Sequence, residues 1–123
     1  MFNAAIPVLR VSRSAAAEAF YCGQLGFSRQ FAYRADDSSP DPCYMGLKRE
    51  HVWLHVSSFP GDAVAGGVVY MRVEDVDALH RELIAKGVRV ELEPTDQPWG
   101  NREMYVKDPD GNSIRFVNNG AGT

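Results

Sequence analysis

The chain has few side chains that could ligate a metal or activate a nucleophile, and two of its three histidines lie close together. His51 and His55 flank Trp53 in a predicted strand. Residues four apart on a strand share a face but are separated by about 13 Å, whereas one ion needs each donor atom within roughly 2 Å. The spacing therefore favours hydrogen-bonded or exposed rings over a chelate. His80 falls on a predicted helix surface and is assigned no function.

Covalent catalysis also finds no support in the residue pattern. No serine or cysteine has a neighbouring base at a recognisable spacing, and Gly66-Gly67 is not followed by the Lys-Ser/Thr of a phosphate loop. The two cysteines, Cys22 and Cys43, are too few for a disulfide framework, which predicts free thiols and a cytoplasmic location. Cys43 beside Tyr44 is either a thiol in a cleft or, more simply, a small buried apolar residue. The sequence indicates no catalytic residue.

The segment 97–112 is better suited to binding than to chemistry. It contains an aromatic turn, Pro98-Trp99-Gly100, then an alternating strand, then the hairpin turn 108–112, in which Gly111 is free to adopt a positive φ. Trp99 could cap the junction between helix and sheet, or it could stack on a planar ligand. The residues leave both interpretations open.

Length and charge place these groups in one domain. A chain of 123 residues is large enough for one core. The net charge is −3 and no block of like charges occurs, so binding to nucleic acid or to a membrane surface is not favoured. No apolar run approaches the roughly 20 residues of a membrane span. The first residues lack a basic stretch followed by an apolar one, so no secretory signal is expected.

An internal repeat supplies the elements that position the site. Residues 6–27 and 68–88 share a pattern of apolar strand, polar turn, helix and closing glycine. Arg10-Val11 matches Arg72-Val73, and Gly26 matches Gly87 in the left-handed position that ends a helix. Ser14 and Asp75 are the predicted N-caps. One face of each helix is predicted to be apolar, and the residues on these faces are Ala16, Phe20 and Gly23 in the first and Val76, Leu79, Leu83 and Ile84 in the second.

Several short strands follow each helix. They are predicted near residues 27–34, 43–48, 51–57, 88–92, 101–107 and 113–117. The expected architecture is an α+β domain over residues 1–123, built from two βαβββ modules (1–59 and 68–123) joined by a linker at 60–67.

Side chains alternate across a strand, so parity divides the strand residues into two faces. One face is wholly apolar and suits packing under the helices: Leu9, Val11, Val52, Leu54, Val56, Val69, Met71, Val73, Met104, Val106, Ile114 and Phe116. The other mixes aromatic, charged and apolar groups: Ile6, Val8, Arg10, His51, Trp53, His55, Val68, Tyr70, Arg72, Glu103, Tyr105, Ser113, Arg115 and Val117. Such a mixture is typical of a ligand cleft. A solvated outer face is the alternative.

The aromatic block 97–112 and the run 25–29, Leu-Gly-Phe-Ser-Arg, resemble the bleomycin-resistance branch of the glyoxalase / vicinal-oxygen-chelate superfamily. The resemblance covers nearly the whole chain, from residues 6–9 and 20–21 to 116–117. It implies a homodimer that exchanges N-terminal strands, with Pro7 where the exchanged arm turns. It also implies clefts between the subunits that hold a bulky cationic glycopeptide by stacking, without changing it.

The resemblance also indicates where a metal would lie. Metal enzymes of the superfamily carry His, Glu or Gln at four positions, which correspond here to Ile6, His55, Val68 and Arg115. Two of these are aliphatic and one is a cation, so the set does not suit a divalent ion. No metal and no cofactor is therefore expected.

The expected function is that of a metal-free protein that sequesters a planar, cationic ligand of the bleomycin type at a dimer-interface cleft. The predicted ligand-binding residues are Tyr44, Trp53, His55, Trp99, Gly100, Glu103, Tyr105 and Arg115. Arg10, Arg72 and Arg115 would oppose a polycation if they pointed inward. Two alternatives are a glyoxalase- or dioxygenase-like enzyme with a metal on His55 and Glu103, and a binding module for another metabolite.

Overall fold

Two four-stranded sheets, each crossed by one helix, make up the chain. The structure is a computed structural model that describes residues 1–119. The elements are β1 (Val8–Arg10), α1 (Ser14–Glu18) continuing into a π-helical segment (Ala19–Gln24), β2 (Ser28–Arg34), β3 (Cys43–Arg49), β4 (Val52–Ser57), β5 (Val68–Arg72), α2 (Val76–Ala85), β6 (Val90–Asp96), β7 (Asn101–Lys107) and β8 (Ser113–Asn119). The sheet orders are β1-β4-β3-β2 and β5-β8-β7-β6. The predicted α+β class with two βαβββ modules is confirmed, although residues 120–123 lie outside the described part.

The strands β2 and β6, each at one edge of its sheet, are irregular. The pairing of β2 with β3 shifts between Arg29 and Phe31. The pairing of β6 with β7 shifts twice, and β6 runs from Val90 to Asp96 instead of the predicted 88–92. Pro94 lies inside β6, where it is tolerated because an edge strand does not need every N–H for the ladder. The proline made the second half of this strand hard to predict.

The two helices begin in different ways. Asp75 is the N-cap of α2, as predicted, and its side chain accepts from the Ala78 backbone N–H at 3.1 Å. The prediction that Ser14 caps α1 is wrong, because Ser14 is already the first helical residue. Its backbone N–H donates to the carboxylate of Asp41, at 3.0 Å, so a loop residue distant in sequence satisfies the free donor.

The first helix contains one more residue than the second between its start and its closing glycine. The extra residue is absorbed by the π-helical segment, in which the Leu25 N–H donates to the Phe20 carbonyl at 2.9 Å. Gly26 and Gly87 then both adopt a φ of +78°, as predicted for helix ends.

The helix faces differ partly from those predicted. The wider turn places Tyr21 in the core with Ala17 and Phe20, whereas Gly23 is exposed. In α2, Val76 and Leu83 are buried, but Ile84 is 53% exposed because it lies beyond the edge of the buried stripe.

The core lies between the helices and the apolar faces of both sheets. One hydrophobic cluster includes buried residues of both modules, and Cys43 belongs to it as a buried side chain. Val52 is the member of the predicted apolar face that is 37% exposed. On the opposite face, Ser113 and Val117 are buried instead of lining an open cleft.

Polar contacts hold the two modules together. The Asn112 Nδ2 group donates to the Arg10 carbonyl at 2.8 Å, and the N–H of Gly67, in the linker, donates to Asn112 Oδ1 at 2.8 Å. β1 pairs in parallel with β4 of the same chain, and the Pro7 carbonyl accepts from the His55 N–H. Strand exchange between subunits therefore stays a prediction. Among residues 1–119, no helix is long and apolar enough to cross a membrane.

Candidate functional site

Five side chains of the second sheet form what we call the Glu103 cluster: Tyr70, Trp99, Glu103, Tyr105 and Arg115. Tyr70 on β5, Arg115 on β8 and Tyr105 on β7 pair in one row across the sheet. Glu103 lies two residues before Tyr105 and so shares its face. Trp99 approaches from the turn before β7. The hairpin of β7 and β8, with Gly111 at a φ of +83°, fixes this row.

Glu103 is the centre of the cluster. Its side chain is buried, with 1% exposed, yet its carboxylate accepts hydrogen bonds from three aromatic residues. Tyr70 Oη and Trp99 Nε1 donate to Oε2 at 2.7 and 2.8 Å, and Tyr105 Oη donates to Oε1 at 2.5 Å. Burial alone would raise the pKa of Glu103, but these three bonds and the nearby Arg115 outweigh it and lower the pKa below its usual value. The buried Glu103 carboxylate therefore holds the rings of Tyr70, Trp99 and Tyr105 in place.

Trp99 offers an aromatic surface to solvent. The residue is 63% exposed although its indole N–H donates to Glu103. The turn that carries it closes through the Gly100 N–H and the Gln97 carbonyl at 3.0 Å, and Gly100 adopts a φ of +103°, which favours glycine. A ring held at its edge with its surface free can stack on a planar molecule at little entropic cost.

Of Arg10, Arg72 and Arg115, Arg115 lies inside the Glu103 cluster. Its Cζ atom lies 4.7 Å from the centroid of the Tyr105 ring, in a cation–π contact. Its Nε is buried and lacks a hydrogen-bond partner among the described residues. Arg10 instead donates to the Phe59 carbonyl, and Arg72 donates to Asn119 Oδ1 at 3.3 Å.

A second group of aromatic side chains lies on the first sheet, and we call it the His55 cluster: Phe31, Tyr44, Trp53 and His55. Tyr44 Oη lies 2.7 Å from His55 Nδ1. The Phe31 ring is nearly parallel to Tyr44, at 6.2 Å and 12°, and meets His55 edge-on at 5.5 Å. Trp53 meets His55 edge-on at 6.2 Å. Burial lowers the pKa of His55, so the ring is neutral near pH 7.

Phe31 was missed by the sequence reasoning. Its ring lies across Gly46, where an added Cβ would be only 2.1 Å from Phe31 Cε2. A glycine inside a strand, opposite an aromatic residue on the neighbouring strand, was the available signal. Tyr70 was also missed as a site residue, although parity placed it on the correct face.

Seven of the eight predicted residues thus divide between two clusters, and Gly100 lies in the turn that carries Trp99. Among residues 1–119, no hydrogen bond or ring contact joins the Glu103 cluster to the His55 cluster. Two cavities, of about 380 and 320 Å³, lie at the seam between the modules, and of the predicted residues Trp53 alone lines either of them. Tyr70 of the Glu103 cluster lines the same cavity of about 320 Å³ as Trp53, whereas the other members of both clusters line neither cavity.

The donor set does not suit a divalent metal. Ile6 and Val68 are aliphatic, His55 Nδ1 is engaged by Tyr44, and Arg115 is a cation. The alternative pair, His55 and Glu103, lies on different sheets, and the Glu103 carboxylate already has three donors. Within residues 1–119, no group of three His, Cys, Asp or Glu side chains could hold a metal ion.

A family model described as "Glyoxalase superfamily protein" matches residues 1–123, so the chain belongs to that family. Within it, the resemblance to bleomycin-resistance proteins is supported by one solved structure, and a second shows the same fold. A bleomycin resistance determinant encoded on the transposon Tn5 is 25% identical over 96% of this chain and 98% of that one, with a TM-score of 0.77. A bleomycin-binding protein in complex with bleomycin is 24% identical over 96% and 99%, also at 0.77.

Other relatives carry different or no functional names. A lactoylglutathione lyase from Agrobacterium tumefaciens is 21% identical over 94% of this chain and 92% of that one, with a TM-score of 0.73, which shows the fold alone. The uncharacterized protein YraH of Bacillus subtilis (strain 168) is 38% identical over 60 residues. That match covers 48% of this chain, and the chain spans about half the length of this curated relative, 47%.

Proposed function

We propose that this chain is a metal-free binding protein that sequesters a bulky, planar, cationic small molecule of the bleomycin type without altering it. The observation that carries the proposal is the exposed Trp99 ring, held at its edge by the buried Glu103 carboxylate. Stacking on a fixed aromatic ring contributes on the order of 1 kcal/mol beyond the burial of area.

The proposed cleft lies between two subunits of a homodimer. Among residues 1–119 the two aromatic clusters share no hydrogen bond or ring contact, and exposed apolar side chains lie on the same sheet faces: Ile6, Val8, Val68 and Tyr70. A second copy would cover this surface and could place the His55 cluster of one chain opposite the Glu103 cluster of the other. We propose a cytoplasmic location, which the free thiols of Cys22 and Cys43 support.

The charges restrict how a cationic ligand would lie. Arg115 rests on Tyr105 and would repel a cation placed directly over that ring. Asp36 and Asp37, in contrast, are exposed on the loop after β2. We therefore expect the planar part of the ligand on Trp99 and its cationic groups towards this acidic loop.

Fluorescence titration with bleomycin tests the proposal. The chain has two tryptophans. Trp53→Phe leaves Trp99 as the only fluorescent tryptophan, and the control variant Trp99→Phe leaves Trp53. We expect a saturable change at micromolar drug in the parent and in Trp53→Phe. Trp99→Ala should weaken binding roughly fivefold, which corresponds to about 1 kcal/mol. No change at micromolar drug would exclude the antibiotic, and unchanged affinity in Trp99→Ala would exclude the stacking role.

Arg115 favours a second candidate, a binding module for a planar metabolite that carries an acidic group. Its guanidinium is oriented by Tyr105, and its buried Nε donor has no acceptor among residues 1–119. A planar aromatic carboxylate tested in the same titration separates the two candidates. Arg115→Gln should weaken carboxylate binding and leave bleomycin binding unchanged or stronger, whereas the opposite pattern would exclude this candidate.

A further inference from the structure

The repeat places two equivalent helix-to-hairpin contacts at the seam between the modules. Tyr21 and Glu82 each lie five residues before the glycine that closes their helix. Tyr105 in β7 and Gly46 in β3 occupy equivalent positions in the strand pairing of the two modules. Asp108 lies three residues after Tyr105, and Arg49 lies three residues after Gly46. Tyr21 contacts Asp108, and Glu82 contacts Arg49. The seam therefore has two ends that can be compared directly.

One end is filled by a phenol ring. Tyr21 is fully buried, with 0% exposed, and its hydroxyl donates to Asp108 Oδ2 at 2.7 Å. Phe20 and Phe27 meet its ring edge-on, with centroids at 5.0 and 6.5 Å. An aromatic ring whose polar end points at a carboxylate thus completes this end of the core.

The equivalent end is open. Glu82 stands in place of Tyr21 and reaches out to Arg49, which leaves a cavity of about 380 Å³. Its apolar lining includes Phe27, Met71, Leu79 and Phe116. This volume lies in the range of small-molecule sites, roughly 300–1,000 Å³.

The charges at the rim favour a cation. The positive charge of Arg49 is already paired with Glu82, because Nη1 and Nη2 donate to the Glu82 carboxylate at 2.7 and 2.9 Å. Three further carboxylates, those of Glu50, Glu74 and Asp75, line the cavity, against one further guanidinium, that of Arg72. Arg72 itself donates to Asn119 Oδ1 at 3.3 Å. A group that enters beside this rim meets a net negative charge.

We propose that this cavity is a second binding site and that it takes a small arylalkyl amine. The aromatic ring would occupy the apolar lining, as Tyr21 does at the closed end, and the ammonium would face the rim carboxylates. The site shares no residue with the Glu103 or His55 clusters. Four of its residues, His51, Val52, Met71 and Arg72, also line the cavity of about 320 Å³ that Trp53 and Tyr70 line. The proposal does not rest on the proposed antibiotic binding.

A pair of probes with similar shape and opposite charge tests the site. 2-Phenylethylamine and 3-phenylpropionate are titrated into the full chain while backbone amide NMR shifts are followed. We expect the amine to bind with a Kd of roughly 1 mM and to shift the amides around Met71, Leu79 and Phe116. The carboxylate should bind roughly tenfold more weakly or not at all. Absence of amine binding, or equal binding of both probes, would overturn the proposal.

Variants locate the site. Leu79→Trp and Ala78→Leu both enlarge side chains of α2 that line the cavity, and each should weaken amine binding roughly tenfold or more. Ala78→Leu retains a strong helix former and serves if Leu79→Trp does not fold. Glu74→Gln should weaken binding severalfold, whereas Trp99→Ala should leave it unchanged. Unchanged binding in both cavity-filling variants, or loss of binding in Trp99→Ala, would place the amine elsewhere and contradict the assignment.

Discussion

The hydroxyl of Tyr21 donates to the carboxylate of Asp108 across 2.7 Å, and both side chains are buried. The bond joins the π-helical segment of the first module to the last hairpin of the second. Burial, followed by the charge of Asp108, raises the pKa of Tyr21 far above its usual range, so the phenol stays protonated. Asn112 Nδ2 also donates to Asp108 Oδ2, at 2.8 Å.

Tyr21→Phe should destabilise the chain by about 1–2 kcal/mol, because a buried carboxylate loses one donor while the ring volume is retained. The matched change at the other end, Glu82→Gln, should cost less than about 1 kcal/mol, since the Arg49–Glu82 pair is partly exposed. Urea unfolding of the three proteins at pH 7 measures both differences. Equal losses of unfolding free energy in Tyr21→Phe and Glu82→Gln would contradict the difference between the closed and the open end of the seam.

Glu103 should make stability depend on pH. Its folded pKa is lowered from 4.5 by hydrogen bonds that outweigh burial, so the ionised form stabilises the fold above the unfolded pKa, and this contribution is lost as the pH falls through the folded pKa. Glu103→Gln should lower the free energy of unfolding by about 1–2 kcal/mol near pH 7. The amide nitrogen that replaces one carboxylate oxygen cannot accept a hydrogen bond, so at least one of the three donors loses its acceptor. The difference from the parent should shrink below about pH 4.5. A difference that is constant from pH 7 to 3 would show that Glu103 is not ionised.

Gly46→Ala should displace the Phe31 ring without breaking the strand. The added Cβ would overlap Phe31 Cε2 at 2.1 Å, but this atom ends a side chain that is 43% exposed and can rotate away. We expect a stability change below about 1 kcal/mol and a clear change in the ring-current shifts of Tyr44 and His55 in NMR spectra. Phe31→Ala is the control and should produce similar shifts. If Gly46→Ala leaves them unchanged, the ring does not lie over the glycine.

The chain should not retain a stoichiometric divalent metal. The matched superfamily positions are Ile6, His55, Val68 and Arg115, which provide one neutral donor and one cation. After exposure to Zn²⁺, Ni²⁺, Fe²⁺ and Mn²⁺ and subsequent dialysis, elemental analysis should find well below one ion per chain. One ion per chain that is lost in His55→Ala would overturn this prediction and favour the enzyme alternative.

Local pattern was sufficient to predict most of the fold. Apolar residues alternate along β4 and β7, and this local pattern predicts the strands. Gly26 and Gly87 likewise mark the ends of the helices without reference to distant residues. Long-range contacts explain the errors. Asp41 satisfies the start of α1 from a distant loop. The extra residue of the first copy is visible in the spacing from Arg10 to Gly26, but that spacing does not show that a π-helical segment absorbs it.

The site was less accessible to sequence reasoning. Parity placed Glu103, Tyr105 and Arg115 on one face. The pairing of Tyr105 with Arg115 and the hydrogen bond from Tyr105 to Glu103 confirm that arrangement. The convergence of three donors on Glu103 depends on the turn that carries Trp99 and on a tyrosine from β5, so spacing alone could not reveal it. Whether these residues bind a ligand stays a prediction.

The irregular pairing of β2 and β6 has a consequence for self-association. Each of these strands has one side without a neighbour, and an interrupted ladder offers an incoming extended peptide no continuous row of partners. Copies of the chain should therefore resist pairing into fibres through the β2 and β6 edges, even though β2 carries the exposed rings of Phe31 and Tyr33.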